Sequence, residues 1–214
     1  MTIRLALLED HVSPGKPLAQ DAAVRAIYVR RGRASVSAPG GGRALAEDEC
    51  GLFDGAIEIV GDGELWTFEL RAQASEPLVA EPDQARVILA VSLALDPRAP
   101  LVFRADRIDY PAGGVTPKHG HRGPGIRRLL HGRLFAEIGG QCGRLEAPDA
   151  WFETGHDPVV GRNLAATSAF VRAMVLPADL KGQPSFMPWT PEEAKKARGV
   201  TPRGFFDEVV TVTP

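Results

Sequence analysis

The chain has 214 residues, 44 % of them hydrophobic and 24 % charged, with a net charge of -2. This is the composition of an ordinary globule of one large domain or two small ones. The charge gives no electrostatic case for nucleic acid or an anionic membrane. The start, Met1 to Asp10, is too short and too soon acidic for a signal peptide, and no apolar run reaches the roughly 18 residues of a membrane span. With two cysteines, Cys50 and Cys142, and nothing that demands a disulfide, the expectation is a cytoplasmic protein with reduced thiols.

The 23 glycines and 18 prolines predict many turns between short strands. Val24 to Val36 reads as strand, glycine turn at Gly32, strand; Gly125 to Glu137 reads the same way about Gly132. Each is followed by a Gly-Gly turn, at Gly40–Gly42 and Gly139–Gly140. Then come Gly51 to Gly55 and Ala150 to Gly155, and a further strand in each half, Glu64–Arg71 and Ser168–Leu176. Two copies of one unit, about 100 residues apart, account for this pattern. Between them Val87, Leu89, Val91, Leu93 and Leu95 alternate, which favours a strand over a helix. Asp96-Pro97-Arg98-Ala99-Pro100 breaks that run and divides the halves.

The tail differs. Thr190, Pro191 and Glu193 stand at N-cap, N1 and N3 of a short helix that Gly199 would stop. Val209 to Val212 predicts a last strand. Arg30-Arg31-Gly32-Arg33 lacks interleaved aromatics and reads as a solvated turn. No Gly-x-Ser-x-Gly and no Cys–His pair suggests a nucleophile.

The stretch that carries chemistry runs from Gly113 to Arg127. His119 and His121 are one residue apart, so in a strand both imidazoles point to one face, as a metal site needs. Gly113 or Gly114, His119, His121 and Gly132 match the first motif of the cupin family, and Gly143 and Pro148 match parts of the second. Leu101 to Leu176 therefore resembles a cupin barrel. The motif's Glu position holds Gly125 and its last His position holds Glu153. The first half repeats the frame with Ala19 and Asp21 where the histidines would be.

The resemblance implies an all-β fold of two tandem cupin (double-stranded β-helix, or jelly-roll) barrels with a short C-terminal helical tail. The first, at 1–96, lacks ligands; the second, at 97–178, carries the site; an extension follows at 179–214. It implies one divalent transition metal (Fe, Mn, Ni, Co or Zn) on His119, His121 and Glu153. The implied function is a metal-dependent enzyme acting on a small, anionic molecule, dioxygenase-type first, then isomerase or lyase. The alternative is a non-catalytic binding or sensing cupin with structural metal or none. A homodimer is expected from the way cupins pair sheet edges.

Other residues bear on the site. By parity from Gly125, Arg127 faces the barrel interior. It either pairs with a carboxylate such as Glu153 or takes an anionic substrate. The loss of the usual Glu at Gly125 would vacate space beside the ion. His156 could replace Glu153 if the register slips, but reads as a loop histidine; His131 sits at a turn and His11 at the surface. Trp151 and Phe152 read first as core packing.

Overall fold

Strand alternation sets the architecture, and two glycines in each half set where the chain turns. In the computed structural model, which describes residues 2–72 and 83–212, strands dominate throughout. The chain divides into two units, at 1–100 with 210–214 and at 101–209. Among the described residues the first has five strands: β1 (Ile3–Val12), β2 (Leu18–Ala38), β3 (Gly41–Ala46), β4 (Cys50–Ala72) and β5 (Ala85–Leu93). They form one sheet in the order β3-β2-β4-β1-β5. At 21 and 23 residues, β2 and β4 curl on each other. Ala26 pairs with both Leu52 and Phe68, so the two ends of β4 grip the middle of β2 from either side. The alternating run after the Gln84 turn is strand β5, not a helix, and lies on β1 as an edge strand.

The second unit builds the same plan from shorter pieces. They are β6 (Leu101–Tyr110), β7 (His119–His121), β8 (Gly125–His131), β9 (Arg133–Ile138), β10 (Gln141–Glu146), β11 (Ala150–Glu153), β12 (Val159–Asn163) and β13 (Ser168–Pro177). The segment read as an extension adds β14 (Phe186–Pro188), helix α1 (Pro191–Ala194) and β15 (Thr201–Val210). Two five-stranded sheets result, β10-β9-β12-β7-β14 and β11-β8-β13-β6-β15. The tail thus supplies an edge strand to each sheet. The predicted helix forms for one turn, capped by the Thr190 hydroxyl, which accepts from the Glu193 amide at 3.3 Å. The fold is all-β of the jelly-roll kind.

The repeat is visible in the pairing and in backbone conformation. Ile126 lies between Phe152 and Ala173, as Ala26 lies between Leu52 and Phe68. Gly32 and Gly132 both have φ +82°, and Gly55 and Gly155 have φ +93° and +92°. A Cβ at Gly32 would sit 2.1 Å from the Asp62 carbonyl oxygen, and one at Gly132 2.2 Å from Ser168 Oγ. Both turns need the conformation, and the empty space, that only glycine provides.

The interior of the first unit is apolar at one end, around Ile27, Val29, Ile59 and Leu65, and ionic at the other. Arg25, wholly buried, pairs with Glu69 at 2.8 Å, and Arg71 pairs with Glu69 at 2.5 Å and with Asp21. Asp21, the counterpart of His121 in the repeat, is therefore part of an ion-pair network. Asp10 is also buried; it accepts from Thr67 Oγ1 at 2.6 Å and from Gln20 Nε2 at 3.1 Å. Burial pushes its carboxyl up to about 6, against the pull of those hydrogen bonds and of Arg25. Its proton is thus held more tightly folded than unfolded, where the value is 3.8. The resulting stability is present below about pH 4 and lost as pH rises through about 6, a change on the order of 3 kcal/mol. An Asp10→Asn variant cannot show it. The difference in unfolding free energy between wild type and variant should fall by that order between pH 4 and 7 in urea titrations. A flat difference would contradict the assignment.

Candidate ligand site

His119 and His121 sit on β7, in one sheet, and face Arg127 on β8, Glu153 on β11 and Arg172 on β13, in the other. All five are buried or nearly so. The strand period explains the grouping. Residues i and i+2 share a face, so β7 presents both imidazoles and β11 presents Trp151 with Glu153. They surround a cavity with room for water-sized spheres over about 80 Å³. That is several waters' worth and limits any ligand held there to a compact one. Its floor is apolar, with Ile108, Leu134 and Phe170 packed together and against Trp151. Phe186 of β14 and Arg198 and Val200 of the tail complete the wall.

Each histidine is tied. The Pro117 carbonyl oxygen lies 2.8 Å from His119 Nδ1, which fixes the proton there and leaves Nε2 as the lone-pair atom. His119 stacks on Phe186 with ring centroids 4.5 Å apart. Arg172 Nη1 lies 3.4 Å from His121 Nε2; a guanidinium only donates, so Nε2 accepts and Nδ1 carries the proton. Burial lowers both histidines, His121 well below the ordinary value, and Arg172 and Arg127 add to the effect there. Both imidazoles are neutral near pH 7.

The charges are arranged in pairs. Arg127 Nη2 is 2.7 Å from Glu153 Oε2, and Arg127 Nη1 donates to the Gly125 carbonyl at 2.5 Å. Glu153 Oε1 accepts from Trp151 Nε1 at 2.9 Å. Arg172 donates to both oxygens of Asp106, at 2.6 and 2.9 Å. Burial lowers Arg127 to about 10, opposed by Glu153, and the side chain stays charged at neutral pH. Burial alone would depress Arg172 as well, but Asp106 outweighs it and raises the value. Of the two sequence-level alternatives for Arg127, its charge is spent on Glu153.

A divalent ion fits this arrangement poorly. An ion about 2.1 Å from each donor would hold those donors roughly 3.0–3.4 Å apart. Glu153 Oε2 and His121 Nε2 are 3.7 Å apart, close to that spacing. Yet a guanidinium nitrogen faces each of them, at 2.7 and 3.4 Å, and two fixed positive charges flank the place a cation would take. Among the described residues no group of three His, Cys, Asp or Glu side chains is disposed to hold a metal ion. His156 is exposed and His131 lies at its turn, so neither joins the site. Trp151, read as core, lines the cavity and meets Phe170 edge-on at 5.2 Å.

Sequence reading missed Arg172, Asp106 and Arg198. Arg172 left a signal, as the one charged residue, of inward parity, in the otherwise apolar run Ser168–Leu176; Asp106 left little, standing among Arg104, Arg107 and Asp109. Arg198 left none, because nothing local says that the tail returns to the cavity.

No protein-family model matches the sequence, and no curated protein matches it. Solved structures do. An oxalate decarboxylase–formate complex from Lactobacillus farciminis superposes with a TM-score of 0.63 at 10 % identity, covering 91 % of this chain and 82 % of that one. A cupin 2 conserved barrel domain protein from Leptotrichia buccalis gives 0.50 at 12 %, covering 81 % and 84 %. A point mutant of salicylate 1,2-dioxygenase from Pseudoaminobacter salicylatoxidans, in complex with gentisate, gives 0.52 at 12 %, covering 95 % and 72 %. At these identities the likeness is one of fold: the chain has a cupin-like β-sandwich fold.

Within that fold the glycine at 125 has its own reason. The space expected beside it is not there. A Cβ at Gly125 would lie 2.5 Å from the Ala173 carbonyl oxygen and 3.2 Å from Arg127 Nη1. Backbone packing and the guanidinium fill the place that a glutamate would use. Gly125→Ala should therefore destabilise the protein by about 1–3 kcal/mol, the cost of overpacking. Urea unfolding would measure it, and a neutral substitution would refute the argument.

Proposed function

We propose that the second unit binds a compact organic acid in this cavity without a divalent ion, with two buried guanidinium–carboxylate pairs in the ion's place. One observation carries the reading: a guanidinium faces each of two donors that an ion there would share, His121 Nε2 and Glu153 Oε2. The apolar floor beside a polar wall suits a small molecule with both characters. Two solved structures of similar fold are described as complexes with formate and gentisate, both small acids.

The metal-dependent enzyme is the second reading, and His119 favours it. An imidazole whose Nδ1–H is held by a backbone carbonyl, with Nε2 free, is oriented as metal-binding histidines are. In that reading His119, His121 and Glu153 hold the ion, Arg172 having moved off His121.

Elemental analysis separates the two. Protein purified without added metal, then equilibrated with Fe(II), Mn, Ni, Co or Zn and desalted, should carry less than about a tenth of an ion per chain. It should still bind benzoate, followed by the fluorescence of Trp151 in the cavity wall. About one ion per chain, lost in His121→Ala, would establish the metal reading instead.

A further inference from the structure

We infer that the charge of the ligand is recognised at the cavity mouth by Arg198, and that the ligand is a monoanion with an apolar body. The inference rests on the binding reading above and names the ligand class and the residue that selects it. Arg127 is matched by Glu153 and Arg172 by Asp106, at ion-pair distances. Of the guanidiniums that line the cavity, Arg198 alone has no carboxylate partner among the described residues. The lining is thus left with one positive charge in excess, and that charge is exposed.

Its position is built, not incidental. The Arg198 guanidinium lies over the Phe186 ring, 4.3 Å from the centroid. Phe186 in turn stacks on His119, so a continuous layer joins the mouth to the polar wall. The next residue, Gly199, has φ +64°, and a Cβ there would sit 2.2 Å from the Val115 carbonyl oxygen. The tail can pass this close only because residue 199 is glycine. The approach is pinned before and behind. Ahead of it, the Lys118 amide donates to Glu193 at 2.9 Å and the Trp189 amide to the Lys118 carbonyl at 3.0 Å. Behind it, Val200 and Pro202 line the cavity themselves.

The floor argues for the orientation. Ile108, Leu134 and Phe170 offer a carboxylate no donor, and the guanidiniums above them are already neutralised. An anion driven inward would lose hydration and meet no net positive charge. An anion at the mouth keeps part of its water and meets Arg198, while its apolar body covers the floor.

Benzoate and its neutral isostere benzamide test this by Trp fluorescence titration. Arg198→Gln, at an exposed position, should weaken benzoate about three- to tenfold and leave benzamide within about twofold. Arg198→Glu should weaken benzoate further, and Arg198→Lys should restore most of the loss. Added salt should reduce benzoate affinity in the wild type and not in Arg198→Gln. If the wild type binds benzoate and Arg198→Gln binds it equally well, the assignment to Arg198 fails while the binding reading stands. If the wild type binds neither benzoate nor benzamide, both fail.

Discussion

Burying a guanidinium inside a β-sandwich is the constraint from which this site follows. Removing an arginine from water costs several kcal/mol unless a carboxylate and further acceptors meet it. Arg127 is fully buried and obtains Glu153 and the Gly125 carbonyl; Arg172 obtains both oxygens of Asp106. Those demands fix the surroundings. Glu153 is held by Arg127 on one oxygen and Trp151 on the other, and is not free to close on a cation. Gly125 must lack a side chain because Arg127 and the Ala173 carbonyl fill its space. Burial keeps His121 neutral, and the two guanidiniums near it add to the effect. The glycine at 125 and the buried arginine two residues on thus depend on each other, since the guanidinium fills the space a side chain at 125 would need.

The first unit solves the same problem without a cavity lined by histidines. Its ionic end joins Arg25, Glu69, Arg71 and Asp21, on the strand frame that the glycine pairs 32/132 and 55/155 mark in both halves. Arg25 occupies the place of Gly125 in the repeat. Both halves thus bury an arginine on this frame, with different carboxylate partners, Glu69 in one and Glu153 in the other. A frame of this sort tolerates such exchanges because hydrogen-bonded pairing, and not any one side chain, sets strand positions.

Much of the fold was legible in the sequence because its signals are local. Glycine turns, proline breaks and period-two alternation predicted the strands. The convergence of His119, His121, Arg127 and Glu153 was legible from the family's motif spacing and strand parity. What was not legible depends on partners distant in sequence. Parity places Arg127 inside but does not say that Glu153 consumes its charge. A motif gap at 125 looks like a vacancy until the carbonyl of Ala173, nearly fifty residues on, is brought against it. The tail is the least legible part. Its capping box was plain, but the pairing of Phe186 with His121 is a long-range choice that no local pattern encodes.

That pairing divides the work within the site. Strands of the two sheets supply rigid, buried groups whose charges cancel in place, and so contribute shape and hydrogen-bonding capacity more than net attraction. The tail supplies the uncancelled charge at a position where water still reaches it. A cation in the interior would have to be neutralised for the barrel to fold, and once neutralised it could no longer select a ligand by charge. Selection by charge therefore belongs at the rim, on a segment held by Gly199 and the Lys118 contacts but outside the buried pairs. A change at residue 198 can then alter ligand preference without disturbing the ion pairs on which the second unit depends.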